Sequence, residues 1–201
     1  MIIGDARVFA IESGITEAYT RLGLRAMGFF VIHVGGLRYG VYEAKATLLA
    51  NSFDEVHNRI VLRGQHTAPF ATELEAGHVA DAFRNAIYAK QQAERFFGIP
   101  LAEFSDLIHS NHIVWAPDGD EAFDDGSFVL QFDVGDRVRL IAFKCGEGYL
   151  HDPATLRDVW IGADSFYQVL LQWRNDFERE WAALPKSSDN VESGEESGFS
   201  T

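Results

Sequence analysis

Residues 29–42 read FFVIHVGGLRYGVY and predict a β-hairpin. Residues 29–34 are rich in aromatic and β-branched side chains, which favour strands. Gly35-Gly36 follows, and a pair of glycines is a strong signal for a two-residue turn between antiparallel strands. Residues 37–42 then form the returning strand. The first part of the chain is therefore predicted to contain an antiparallel sheet.

Further strands are predicted on both sides of this hairpin. They cover residues 8–11, 46–49, 112–115, 127–132, 137–143 and 159–161. Val134-Gly135 lies between two Asp residues and predicts the turn that joins two of these strands.

Two helices are predicted before residue 100. Residues 52–62 form the shorter one, with Ser52 and Glu55 as its capping box. Residues 72–97 form a long one, because Val79, Phe83, Ile87 and Phe97 recur near helical spacing. Gly98 and Pro100 follow and are typical of a helix end.

The last helix has the clearest pattern in the chain. Asp164 or Ser165 is placed to cap it. Its apolar residues recur at intervals of three and four, in the order Phe166, Leu170, Trp173, Phe177, Trp181. This stripe predicts a helix that packs on the core.

Strands and helices in this order predict an α+β fold with a mostly antiparallel sheet, two long helices and a disordered acidic C-terminal tail. With 201 residues, of which 47% are hydrophobic, residues 1–185 suffice for a single domain. Residues 186–201 are mostly Ser, Gly, Glu and Asp. They have too little apolar surface to offset the entropy lost on ordering, so we expect them to be disordered.

Negative charge is concentrated in one part of the sequence. Residues 97–136 contain nine carboxylates and neither Lys nor Arg, whereas residues 1–95 carry ten acidic and ten basic side chains. The net charge of the whole chain is −13. Because concentrated like charge repels itself in a folded domain, a basic protein or a cation is the natural partner.

The same charge excludes other partners. A chain with an isoelectric point near 4.8 lacks the positive face that nucleic acids and anionic membranes need.

Cys145 is the single cysteine, so no internal disulfide forms, which suits a reducing compartment. Neither a signal peptide nor a long apolar run is visible, and the expected location is the cytoplasm.

Catalytic and cofactor motifs do not stand out. His109 and His112 lie three residues apart and could bind a metal, but no third ligand is indicated by the spacing. Cys145 follows Lys144, and a neighbouring cation favours a nucleophilic thiolate. A lone cysteine is, however, more often a small packed side chain. Residues 118–126 are acidic like a calcium loop, but Ala122 and Phe123 stand where that loop needs an acid and a glycine. We expect no cofactor.

The beginning of the chain resembles a known family. Met1-Ile2-Ile3-Gly4-Asp5 is followed by Phe9-Ala10-Ile11-Glu12, and then by residues 28–32 with Gly35-Gly36-Leu37-Arg38-Tyr39-Gly40. This order is similar to that in the immunity protein 42 family of bacterial polymorphic toxin systems. The resemblance covers about the first forty residues. It includes neither catalytic residues nor toxin contacts.

The resemblance implies a cytoplasmic protein that is not an enzyme and that binds and blocks one cognate toxin domain. The acidic charge suits a toxin with a basic surface, such as a nuclease. The partner-binding residues that we expect are the five closely spaced carboxylates Asp118, Asp120, Glu121, Asp124 and Asp125.

Two other functions remain open at this point. A small metal-assisted hydrolase could use His109, His112 and nearby acids. A non-catalytic scaffold protein could use its aromatic helix to bind a partner. The sequence does not distinguish between oligomeric states.

Overall fold

Two main β-sheets and four α-helices make up the part of the chain that this computed structural model describes, residues 1–89, 93–115 and 121–187. The helices are α1 (Leu49–Val61), α2 (Ala76–Tyr88), α3 (Leu101–Ser110) and α4 (Ala163–Ala183). The strands are β1 (Ile2–Asp5), β2 (Phe9–Tyr19), β3 (Ala26–Val34), β4 (Leu37–Tyr39), β5 (Thr47–Leu48), β6 (Arg95–Phe96), β7 (Ile99–Pro100), β8 (Ser127–Val134), β9 (Arg137–Lys144), β10 (Arg157–Gly162) and β11 (Lys186–Ser187).

The first sheet contains the predicted hairpin. Its strand order is β1-β2-β3-β4, with β5 beside β3 and β11 beside β2. Val34 pairs with Leu37 across the hairpin. Gly35 and Gly36 both have positive φ angles, 56° and 82°, as the tight turn requires. The hairpin prediction is confirmed, although β4 ends at Tyr39.

The second sheet has the order β10-β9-β8 and is antiparallel throughout. Val134 pairs with Arg137, and Gly135 at φ 60° makes the turn that the sequence predicts. Since side chains alternate along a strand, each strand can contribute to two different cores. Val138, Leu140 and Ala142 face the first core, and Ile141 and Phe143 face the second.

The first core lies between the first sheet, α1, α4 and one face of the second sheet. Phe166, Leu170, Trp173 and Phe177 of α4 are all fully buried in it, which confirms the predicted stripe. Trp181 is partly buried, and its indole Nε1 donates a hydrogen bond to the Arg25 carbonyl oxygen at 2.7 Å.

The second core covers the other face of the second sheet with α2 and α3. Val79 and Phe83 come from α2, and Phe104 and Ile108 come from α3. The predicted α+β class with mainly antiparallel sheets is therefore confirmed.

The helix predicted over residues 72–97 is wrong in its extent. The helical spacing belongs to α2 alone, which ends at Tyr88, and the chain turns at Phe97-Gly98 between β6 and β7. Gly98 makes this turn with φ 78°. Pro100 precedes α3, because a proline φ angle suits the start of a helix.

The predicted helix caps are also wrong. Helix α1 begins at Leu49, so Ser52 is a buried residue within it. Helix α4 begins at Ala163, and no side chain caps it.

The boundary of the predicted tail needs a correction. Lys186 and Ser187 pair in parallel with Ala18 and Tyr19 of β2, so they belong to the first sheet. The Lys186 Nζ also donates to the carbonyl oxygens of Trp181 and Leu184. Residues 188–201 lie outside the described residues. Among the helices of the described ranges, none is long and apolar enough to cross a membrane.

Candidate functional site: the acidic segment and its surroundings

The acidic segment, residues 118–125, contains all five carboxylates that the sequence indicates for partner binding. Asp118 and Asp120 lie outside the described residues. Glu121 begins a short 3-10 helix, Glu121–Phe123. The chain then passes through Asp124 and Asp125 into β8.

Two buried residues anchor this segment on the first core. The Phe123 ring packs against Phe30 with 6.4 Å between the ring centroids. The Ala122 carbonyl oxygen accepts a hydrogen bond from the Val41 amide at 2.8 Å. Because Ala122 and Phe123 are held inside, the flanking Glu121 and Asp124 are exposed to solvent.

Asp125 differs from these two carboxylates. One of its oxygens lies 2.5 Å from the Lys144 Nζ, and the other accepts a hydrogen bond from the Ser127 amide at 3.1 Å. Its side chain is only 22% exposed. A base that is distant in sequence therefore neutralises part of the acidic segment, and Asp125 also holds the segment against the second sheet.

A cluster that the sequence did not indicate borders the acidic segment on the first sheet. Glu12 and His33 point away from the first core, since their neighbours Ile11 and Ile32 point into it. The His33 Nε2 lies 2.9 Å from one Glu12 oxygen. The other Glu12 oxygen accepts a hydrogen bond from the Tyr42 hydroxyl at 3.0 Å.

These contacts hold Glu12 ionised. Partial burial by itself raises the pKa of the Glu12 carboxyl, but the hydrogen bonds from His33 and Tyr42 outweigh it and bring the pKa below its usual value. The Arg38 guanidinium stacks on the Tyr42 ring at 4.3 Å from its centroid. Because Tyr42 follows Val41, which bonds to Ala122, the cluster and the acidic segment form neighbouring parts of one surface.

A buried polar network lies between the two cores. The Arg59 guanidinium donates to Gln131 Oε1 at 3.0 Å, and to the carbonyl oxygens of His112 and Val114 at 3.1 and 2.5 Å. Glu55 pairs with it at 2.7 Å. Burial lowers the pKa of Arg59, and the Glu55 charge partly opposes this shift. The network joins α1 to β8 and to residues 112–114, which precede the acidic segment, and this is a structural role.

A small cavity opens beside this network. Its volume is about 230 Å³, and its walls include Asp133, Tyr167, Arg63 and Asp164. The Tyr167 hydroxyl lies 2.9 Å from both Asp133 oxygens, and Arg63 and Asp164 pair at 2.5 Å across the rim. Because these groups already satisfy each other, and ligand sites usually exceed about 300 Å³, the cavity does not resemble a small-molecule site.

His66 is a buried histidine within reach of the same network. Its Nδ1 lies 3.0 Å from the Asn111 carbonyl oxygen, and its Nε2 has no hydrogen-bond partner among the described residues. Burial, reinforced by the Arg59 charge, lowers the pKa of His66 from its usual 6.5. The folded protein therefore keeps this imidazole neutral.

We expect His66 to make the stability depend on pH. Below about pH 6.5 the His66 imidazole takes up a proton more readily in the unfolded chain than in the folded one. The free energy of unfolding should therefore fall as the pH is lowered towards about 5. Urea denaturation at a series of pH values measures this dependence. His66→Gln should flatten the curve in this interval, whereas His78→Gln, at an exposed position, should not. Parallel curves for the wild type and His66→Gln would contradict the prediction.

His109 and His112 do not form a metal site with their neighbours. The His109 Nδ1 is bonded to the Ser105 carbonyl oxygen at 2.7 Å. The His112 backbone, at φ 47°, offers its carbonyl oxygen to Arg59 and His66. Within residues 1–89, 93–115 and 121–187, no group of three His, Cys, Asp or Glu side chains could hold a metal ion.

Cys145 is exposed and touches the Arg84 Nη1, while the Arg84 Nη2 donates to the Gly148 carbonyl oxygen at 3.1 Å. The nearby His151 is paired with Asp81 at 2.7 Å, and its ring packs against Gly77. None of the contacts of His151 involves the Cys145 sulfur, so this arrangement does not show the base that a cysteine nucleophile needs.

Comparisons with known proteins agree with the resemblance at the start of the chain and extend it. The model of the family described as immunity protein 42 matches residues 1–176. The fold is similar to that of CdiI from Burkholderia dolosa, with a TM-score of 0.54 and 13% sequence identity over 88% of this chain and 99% of that one. No curated protein matches the sequence.

Proposed function

Because the chain belongs to the immunity protein 42 family, and so is an immunity protein that neutralises a toxin, we propose that it binds one cognate toxin domain one to one, without turnover of its own. The family match over residues 1–176 is the observation that carries this function. We place the complex in the cytoplasm, because a chain with a single cysteine forms no internal disulfide and therefore suits a reducing compartment.

The acidic segment is the surface that we assign to the toxin. Glu121 and Asp124 are exposed on a segment that Ala122 and Phe123 anchor, so their carboxylates have a defined place on the surface. Asp118 and Asp120 add to the same charge in the sequence. The net charge of −13 attracts a basic toxin surface, such as that of a nuclease, and the concentration of carboxylates in this segment directs that surface towards it.

Co-expression with the toxin encoded beside this chain tests the function. Growth should be arrested by the toxin alone and restored when this protein is present. Titration calorimetry of the purified pair should give a stoichiometry of one to one. Growth arrest despite soluble, folded immunity protein would contradict the proposal.

Neutralising the acidic segment should slow association with the toxin. We expect the variant in which Asp118, Asp120, Glu121 and Asp124 become Asn or Gln to associate more slowly at low salt and to show a weaker salt dependence. Because exposed ion pairs contribute only about 0–1 kcal/mol each, no single change should abolish binding. Stopped-flow measurements at low and high salt record both effects.

Asp125 is kept in this variant, since it already forms an ion pair with Lys144 of the same chain. Adding Asp125→Asn should lower the melting temperature and change the association rate little further. The charge-matched control neutralises four exposed carboxylates elsewhere, namely Glu94, Asp106, Asp136 and Glu178. If the control and the acidic-segment variant have the same rates and salt slopes, the segment acts only through net charge.

A further inference from the structure

We propose that a cleft between residues 69–74 and the turn Phe97-Gly98 receives an apolar side chain of the cognate toxin, next to a basic residue of that toxin. This inference rests on the proposed function, because it names a second contact for the same partner. The cleft lies on the second core, where Phe70 packs against Phe104 and Phe132. The acidic segment is instead anchored on the first core, so the two contacts are separate.

The cleft has two exposed apolar side chains on its walls. Leu74 is 90% exposed, more than any other large hydrophobic side chain in the described residues, and Phe97 is 37% exposed. The cleft has a volume of about 290 Å³, and both residues line it together with Pro69, Phe70, Thr72 and Glu73. Single exposed apolar residues need no explanation, but a group that forms one concave surface indicates a contact.

Phe97 has an unfavourable backbone conformation. It is the first of two turn residues between the paired Phe96 and Ile99, with φ 51°, and Gly98 follows at φ 78°. A two-residue turn with two positive φ angles favours Asn-Gly, and a bulky residue at positive φ is rare. The turn alone does not account for a phenylalanine here. What the phenylalanine adds is a ring that stacks on Phe70 at 5.2 Å and still faces solvent.

Arginine side chains hold both walls of the cleft. The buried Arg139 donates to the carbonyl oxygens of Ala71 and Glu73 at 3.0 and 2.6 Å, and forms two hydrogen bonds of 2.8 Å with Asp158. The Arg95 Nη1 donates to the Gly98 carbonyl oxygen at 2.7 Å. The segments that present Leu74 and Phe97 are thus fixed before a partner arrives, which reduces the entropy lost on binding.

Charge and size select the occupant. The cleft has room for one side chain, and Glu73 on its wall favours a cation beside that side chain. A second copy of this chain would bring another charge of −13 and would be repelled. A basic toxin surface with one protruding aliphatic or aromatic residue satisfies both conditions.

Phe97→Asn and Leu74→Ala test the inference. Asn-Gly suits the turn, so Phe97→Asn should change the melting temperature by only a few degrees while it removes the ring. We expect the toxin complex to dissociate roughly tenfold faster or more for each variant, because well-packed central contacts act mainly on the dissociation rate. The salt dependence of association should stay as in the wild type. Surface plasmon resonance with the toxin domain measures the dissociation rate and the salt dependence of association, and differential scanning calorimetry measures the melting temperature.

Leu22→Ala is the matched control, since Leu22 is 61% exposed and does not line the cleft. It should leave dissociation unchanged. Wild-type dissociation in both cleft variants, or equal effects of Leu22→Ala and Leu74→Ala, would overturn the inference and leave immunity untouched. If Phe97→Asn does not fold, Leu74→Ala alone decides, because an almost fully exposed side chain contributes little to folding. A wild-type protein that fails to bind the toxin would instead overturn the proposed function.

Discussion

Arg59→Ala should lower the free energy of unfolding by about 3–5 kcal/mol, as expected when one partner of a buried ion pair is removed. The substitution removes the Arg59 donor from the Val114 carbonyl oxygen. Gln131 Oε1 and the His112 carbonyl oxygen each lose one of two partners, because Trp115 Nε1 and His66 Nδ1 also contact them. Each buried acceptor that loses its hydrogen bond costs about 1–3 kcal/mol. Arg59→Ala also removes the guanidinium cation that lies 4.4 Å from the centroid of the Trp115 ring. Urea denaturation with linear extrapolation measures the loss.

Glu55→Gln is the control for this prediction. It removes only the charge of the partner, and the Glu55 side chain is partly exposed. We expect a smaller loss, about 1–2 kcal/mol, because the glutamine amide oxygen can still accept a hydrogen bond from Arg59 and the other acceptors of Arg59 stay in place. Equal losses for the two variants would mean that the Glu55–Arg59 ion pair within α1, and not the hydrogen bonds that Arg59 donates to Gln131, His112 and Val114, accounts for the stability.

Trp173→Ala should also cost about 3–5 kcal/mol, because it opens a cavity at the centre of the first core. The Trp173 ring is fully buried and lies 5.2 Å from both Phe30 and Phe177, between ring centroids. Its Nε1 donates a hydrogen bond to the buried Ser13 hydroxyl at 3.0 Å. For a chain of this size the loss corresponds to a melting temperature lower by roughly 6–20 °C. Differential scanning calorimetry measures the shift.

Trp173→Phe separates the two contributions. It keeps an aromatic ring near Phe30 and Phe177 but leaves Ser13 unpaired, so we expect a loss of about 1–3 kcal/mol. If the alanine and phenylalanine variants have the same melting temperature, the hydrogen bond and not the packing dominates at this position.

Local patterns in the sequence predict the hairpins and the last helix correctly. Gly35-Gly36 encodes a turn by itself, and the stripe from Phe166 to Phe177 has only one consistent helical face. The prediction over residues 72–97 is wrong because Phe97 fits the helical spacing by coincidence. Gly98 and Pro100 are compatible with the end of one helix and with the start of another, and only the packing of α3 on the second core distinguishes these.

The candidate site is less accessible to such reasoning. The run of acids locates a charged segment, but Asp125 finds its base, Lys144, across the β8–β9 hairpin. Leu74 and Phe97 are separated in sequence and line the same cleft, where Phe70 packs against both Phe97 and Phe104. Pairings of this kind depend on the tertiary fold and leave no periodic signal.

The second sheet is shared by both cores, and this has a consequence for how the protein unfolds. Leu130 and Phe132 of β8 belong to one core, while Val129 of the same strand belongs to the other. A loss of order in either core therefore exposes one face of β8 and β9. We expect a single cooperative transition, with the slowest amide hydrogen exchange in β9, the middle strand of this sheet. A toxin that binds on either side of the sheet would then protect both cores from unfolding.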